Sequence, residues 1–127
     1  MISAKLRFHG HGSLRYLHKN ADVYRSKYCV LKIIANPRRK YSRFAVIVSK
    51  KTHKSAVGRN RIRRRLYEMI RLELPNMIGT NDMAIIVTSG EALMAPHQEL
   101  FDSLHELMIQ SGKYRQQPDV SQSSNML

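Results

Sequence analysis

The stretch SKKTHKSAVGRNRIRRRLYEMIR, residues 49–71, sets the reading of the whole chain. Placed at about 100° per residue from Gly58 onward, Ile62, Leu66, Met69 and Ile70 fall on one stripe. Asn60, Arg64, Glu68 and Arg71 fall opposite, flanked by Arg61 and Arg63. The spacing predicts an amphipathic helix with an apolar seat and a face made mostly of guanidinium. Like charges at i,i+3 and i,i+4 repel, so this face works against an isolated helix. A polyanion lying along it would relieve the repulsion. The planar fork of donors on Arg suits phosphate better than an ammonium does. A solvated surface helix would mix both signs of charge, and here only Glu68 and Glu73 offset the arginines.

Composition agrees. The chain has 127 residues, one domain's worth, and a formal net charge of +13. Residues 1–75 hold 20 of the 22 Lys and Arg and 3 of the 9 acids, a net +17. Residues 76–127 carry a net −4, so the binding surface belongs to the first three-fifths of the chain. Cys29 is the only cysteine, which excludes an internal disulfide and fits a reducing, cytoplasmic setting. No apolar run reaches the length of a membrane span, and no secretory signal is expected.

In chain order, Ser13 is a candidate cap for a short helix through about Lys19, with Leu14, Leu17 and Tyr16 as apolar contacts. A short strand is expected near Ala21 to Val23. Tyr28 to Ala35 reads as a strand whose alternation puts Cys29, Leu31, Ile33 and Ala35 on the core face. Tyr28 and Lys32 then share the opposite face, an aromatic plane and a cation suited to single-stranded RNA. Arg38-Arg39-Lys40 is the tip of the following turn. Arg43 to Ser49 is apolar on both faces and is expected to be a central strand. Ser55 is a plausible N-cap for the basic helix, which Pro75 ends by Leu74. Met83 to Thr88 reads as a buried strand. Ala95-Pro96 opens a last helix whose Leu100, Leu104, Leu107 and Met108 form a core stripe, ending near Gly112. Residues 1–115 are read as one α+β domain and 116–127 as a polar, disordered tail.

Ser49-Lys50-Lys51, a short loop, Ala56-Val57, then Arg59-Asn60-Arg61-Ile62-Arg63-Arg64 resembles the signature of the bacterial ribonuclease P protein component. The likeness is specific for these dozen or so residues, and the order of elements extends it over about Arg7 to Tyr114. Four features depart from that pattern. The loop Thr52 to Ser55 is one residue longer, His53 stands where Gly is usual, Arg65 replaces an apolar residue and Tyr67 replaces Arg.

The resemblance implies a mixed sheet of three to four strands in the order α-β-β-β-α-β-α. It implies a fold like the second domain of ribosomal protein S5, with a left-handed βαβ crossover where the general rule is right-handed. It further implies removal of the 5′ leader from precursor tRNA, with catalysis and the bound Mg²⁺ belonging to an RNA subunit. In that scheme the protein is a monomer in a 1:1 complex with the RNA. Lys50, Lys51, Lys54, Arg59, Asn60, Arg61, Arg63 and Arg64 would contact the catalytic RNA. Tyr28, Lys32, Tyr16 and Arg43 would hold the leader.

Absences narrow the chemistry. The sequence has no Gly-rich phosphate loop, nucleophile elbow or metal-ligand spacing. His9, His11 and His18 lack a Cys or carboxylate to complete a ligand set, and read as solvent- or RNA-facing. No catalytic or metal-binding residue is expected in the protein. A ribosomal or other structural RNA-binding protein is the alternative, and a metal-dependent nuclease a third.

Overall fold

The computed structural model of the chain describes residues 11–115, with side chains from Arg15 onward. The elements run α1 (His11–Asn20), β1 (Asp22–Arg25), β2 (Cys29–Ala35), β3 (Arg43–Ile47), α2 (Ala56–Glu73), β4 (Asn81–Val87) and α3 (His97–Gln110). Short 3-10 turns occupy Leu74–Asn76 and Gly90–Leu93. The α+β order expected from the sequence is observed, with four strands in one mixed sheet. The expectation that Ser13 caps α1 is corrected: the helix begins at His11 and Ser13 lies within it, while His9, the tail 116–127 and the side chains of His11 and Leu14 fall outside what is described.

The sheet order is β1-β2-β4-β3. β2 pairs antiparallel with β1 and β4, whereas β3 and β4 run parallel. Parallel neighbours need a long crossover, and α2 supplies it. The expectation that Arg43 to Ser49 forms a central strand is corrected: β3 is an edge. It is apolar on both faces because Phe44 and Val46, with Val48 just beyond the strand, enter the core while Ala45 and Ile47 are half-buried on the other side. The Val46 N–H donates to the Tyr67 hydroxyl at 3.4 Å, so α2 satisfies part of that edge.

Alternation gives the sheet two faces. Cys29, Leu31 and Ile33 of β2 and Met83, Ile85 and Val87 of β4 join Phe44 and Val46 in one core. Ile62, Leu66, Met69 and Ile70 of α2 close it, with Leu100, Leu104, Leu107 and Met108 of α3. Both helical stripes thus go where their spacing sends them. α1 packs on β2 and β4 from the other face, where Leu17 is 1 % exposed and His18 meets Lys32.

Ser55 caps α2 as expected, its Oγ accepting from the Gly58 N–H at 3.2 Å. The helix ends at Glu73, yet Leu74 keeps helical dihedrals despite Pro75, and the chain passes into one 3-10 turn. After α3, Gly112 takes φ 73°, a left-handed turn that a side chain would strain. It returns the chain so that Ile78 N–H donates to Lys113 O and Arg115 N–H to Asn76 O, each at 2.5 Å.

A buried carboxylate fastens this return. Glu73 is 2 % exposed, and its Oε2 accepts from the Tyr114 hydroxyl at 2.6 Å. Its Oε1 accepts from Nδ1 of His105 at 2.6 Å. Burial first, and then the Glu73 bond, push the Tyr114 phenol up to about 12 from its ordinary 10. The folded pKa exceeds the unfolded one, so this stabilisation is complete below about pH 10 and lost as pH rises toward 12. Tyr114→Phe should cost about 1–3 kcal/mol at pH 8, since it strips a donor from a buried carboxylate. Urea unfolding of wild type should weaken more steeply between pH 10 and 12 than that of Tyr114→Phe. Parallel slopes would show that the clasp does not form.

Candidate nucleic-acid interface

The arginines of α2 divide by what they touch. Arg59 lies near the apolar stripe and turns back, its Nη1 donating to the carbonyls of His53 and Lys54, both at 2.9 Å. Arg65 reaches across to the segment after β4. Its Nη1 donates to Ala92 O (2.7 Å) and Leu93 O (3.0 Å), and its Nη2 to Ala95 O at 2.7 Å. This is the position where the resemblance leads one to expect an apolar residue, and three carbonyl bonds account for the charge there. Arg63 bonds the Asn60 side chain, and Arg71 pairs with Glu68 at 3.1 Å.

Arg61 and Arg64 are different. Both are exposed and make no hydrogen bond or ion pair within the described chain. With Arg65, Leu93 and Met94 they line a shallow cleft of about 330 Å³. Lys50, Lys51 and Lys54 are exposed on the loop that enters the helix. That loop is folded rather than loose. Ser49 O accepts from the N–H groups of Thr52 and His53, both at 3.1 Å, and Thr52 Oγ1 donates to Val87 O at 3.1 Å. Three lysines and two outward arginines therefore form one cationic surface on the loop and α2, with Asn60 and Arg63 beside them. Among the described residues, the one carboxylate paired with an arginine of α2 is Glu68, the partner of Arg71.

The second surface differs from expectation. Tyr28 and Lys32 do not share a face. Tyr28 is 3 % exposed, and its hydroxyl donates to Glu99 Oε1 of α3 at 2.7 Å. It precedes β2, so the strand alternation does not bind it, and burial of its ring against α3 prevails. That bond, with burial and the Glu99 charge, raises the phenol pKa. A base cannot stack on this ring as it lies, which corrects the exposure expected of it. Arg43 is corrected likewise: its Nε and Nη2 grip Asp82 Oδ1 and Oδ2 at 3.0 and 2.8 Å. Asn36 donates to the same carboxylate at 2.8 Å, so the Arg43 charge is mostly neutralised.

Lys32 does face the α1 side, where its Nζ meets Nδ1 of His18 at 3.1 Å. Burial, and then Lys32, hold His18 below its ordinary pKa, so the imidazole accepts from the ammonium. Tyr16, 60 % exposed, borders a cleft of about 560 Å³ between α1 and the sheet. Arg38 borders it too, and Lys40 sits over the Tyr41 ring at 5.6 Å from its centroid. The basic tip was visible in the sequence, but nothing there placed it beside Tyr16. Among the described residues no group of three or more His, Cys, Asp or Glu is placed to hold a metal ion. No described helix is long and apolar enough to cross a membrane.

Comparison with known proteins places the sequence in a family and the fold beside solved structures. The family model described as Ribonuclease P matches residues 2–112. The chain is 33% identical over 96 residues to the ribonuclease P protein component of Pseudanabaena, covering 75% of this chain and 81% of the relative. It is 32% identical over 97 residues to that of Chloroflexus aurantiacus, covering 76% and 70%. In fold it is similar to the RNase P protein of Staphylococcus aureus, with a TM-score of 0.75 at 20% identity over 87% of this chain and 98% of that one. The RNase P protein of Thermotoga maritima gives 0.68 at 19% identity, covering 76% and 89%. With a family match across most of its length and relatives a third identical to it, this chain belongs to the ribonuclease P protein component family.

Proposed function

We propose that the chain docks on the RNA subunit of ribonuclease P through the loop Lys50 to Lys54 and the outer face of α2, and steadies the 5′ leader of precursor tRNA along the cleft beside α1. One observation carries the first half: Arg61 and Arg64 are exposed on α2 and have no hydrogen-bond or ion-pair partner among the described residues. The second half rests on Tyr16 and Arg38, which border that cleft and combine an exposed ring with a cation, as single-strand binding requires, with Lys32 turned to the same α1 side. The two surfaces lie toward opposite ends of the sheet. The loop meets the Val87 end of β4, and the cleft meets the Asp82 end. One protein could then touch catalytic RNA and substrate at once. Cleavage, and the Mg²⁺ it uses, belong in this reading to the RNA, in a 1:1 complex.

Precursor tRNA supplied with protein alone should stay intact, while protein plus RNA subunit should release the leader. Cleavage by protein alone would overturn the reading in favour of a nuclease. No effect of the protein on cleavage by the RNA would favour a structural RNA-binding role.

Arg61→Ala/Arg64→Ala should keep the melting temperature, since neither side chain is packed or bonded. Its binding to the RNA subunit should weaken, and the slope of log K against log salt should flatten by about 0.7–0.9 per lost phosphate contact. Wild-type affinity and slope in this variant would remove α2 from the interface.

Tyr16→Ala should leave RNA-subunit binding unchanged. It should reduce the preference for precursor over mature tRNA by about 1–3 kcal/mol if a leader base stacks there. An undiminished preference would place the leader elsewhere.

A further inference from the structure

Position 58 lies in the first turn of α2, where glycine weakens a helix relative to alanine. The structure shows what occupies the space. A β-carbon at Gly58 would lie 2.1 Å from Cε1 of His53, 2.5 Å from its Nδ1 and 2.8 Å from its Nε2. The imidazole fills the place a side chain would take. Gly90, in the 3-10 turn after β4, meets the same loop. A β-carbon there would lie 2.6 Å from Thr52 O and 3.8 Å from Cδ2 of His53. Two glycines therefore let one loop seat itself against two elements.

Hydrogen bonds fix the ring within this seat. Nδ1 of His53 accepts from the Ser55 N–H at 3.2 Å. Ser55 is also the cap of α2, so the ring touches the residue that starts the helix. The His53 backbone is held as well, its N–H by Ser49 O and its carbonyl by Arg59. Lys50, Lys51 and Lys54 flank this anchor in sequence, and Arg61 begins less than a turn beyond Gly58.

We infer that His53 is a positioning residue: its imidazole, seated over Gly58 with Gly90 closing the loop behind it, holds the lysines of the loop in a fixed relation to the outward arginines of α2. The five cations then present one surface before any RNA arrives. Without the ring the loop remains tethered by Thr52 and Arg59 but samples more conformations, and binding must order it. The inference deepens the docking role proposed above and depends on it.

The test uses the full chain and the ribonuclease P RNA subunit, with affinity read over a salt series well below each variant's melting midpoint. His53→Ala should bind about tenfold more weakly, with an unchanged salt slope because the same phosphates are contacted once the loop is ordered, and with little change in melting temperature. Gly58→Ala, which expels the ring, should show the same loss. The double variant should be no worse than either single one, because both break one contact. Wild-type affinity in His53→Ala, or losses that add in the double variant, would overturn the inference. Arg61→Ala/Arg64→Ala separates the two levels. If it binds weakly while His53→Ala binds normally, the latch alone fails. If it binds normally, the docking role fails and the latch falls with it.

Discussion

Burial of the Ile62–Leu66–Met69–Ile70 stripe is the constraint on which the rest depends. Three Arg–Arg pairs stand at i,i+3 or i,i+4 on α2, namely 59/63, 61/64 and 61/65. Each costs about 0.2–0.5 kcal/mol. The four apolar side chains are almost fully buried, and each is worth about 1.5–3 kcal/mol. Packing wins by a wide margin. The helix can therefore hold a charge density that it would not sustain alone. The same burial completes the crossover between β3 and β4, so the fold and the interface share one origin.

The charge is not spent uniformly. Arg59 and Arg65 use their donors on backbone carbonyls of the loop before α2 and the segment after β4. They brace the surface that Arg61 and Arg64 display. A sequence of five arginines in seven positions looks like one patch. In three dimensions it is a frame of inward residues around an outward pair. Lys32 and Arg43 show the same division on the sheet, one turned toward α1 and the other closed into an ion pair with Asp82.

The carboxylates have a matching role. Glu73, Asp82 and Glu99 each take donors from elsewhere in the fold rather than facing solvent alone. Glu73 and Asp82 are buried, and each is satisfied by at least two partners, as a buried carboxylate must be. The carboxylates lock the helices and the chain return in place, and the cations left over form the exposed basic surface.

Periodicity and charge made much of this legible from residues alone. The stripes of α2 and α3, the Ser55 cap, the β2 core face from Cys29 to Ile33 and the outward direction of Arg61 and Arg64 follow from spacing, because one burial direction satisfies each element, whereas Ala35, expected on that core face, lies exposed at the end of the strand. Other features turn on partners distant in the chain. Tyr28 is buried because Glu99, 71 positions later, waits for its hydroxyl. Arg43 is neutralised because β4 brings Asp82 opposite it in the parallel register. β3 is an edge because strand order, not strand composition, decides which ladders form. Spacing within an element tells which way a side chain points, and only the tertiary structure decides what it finds there.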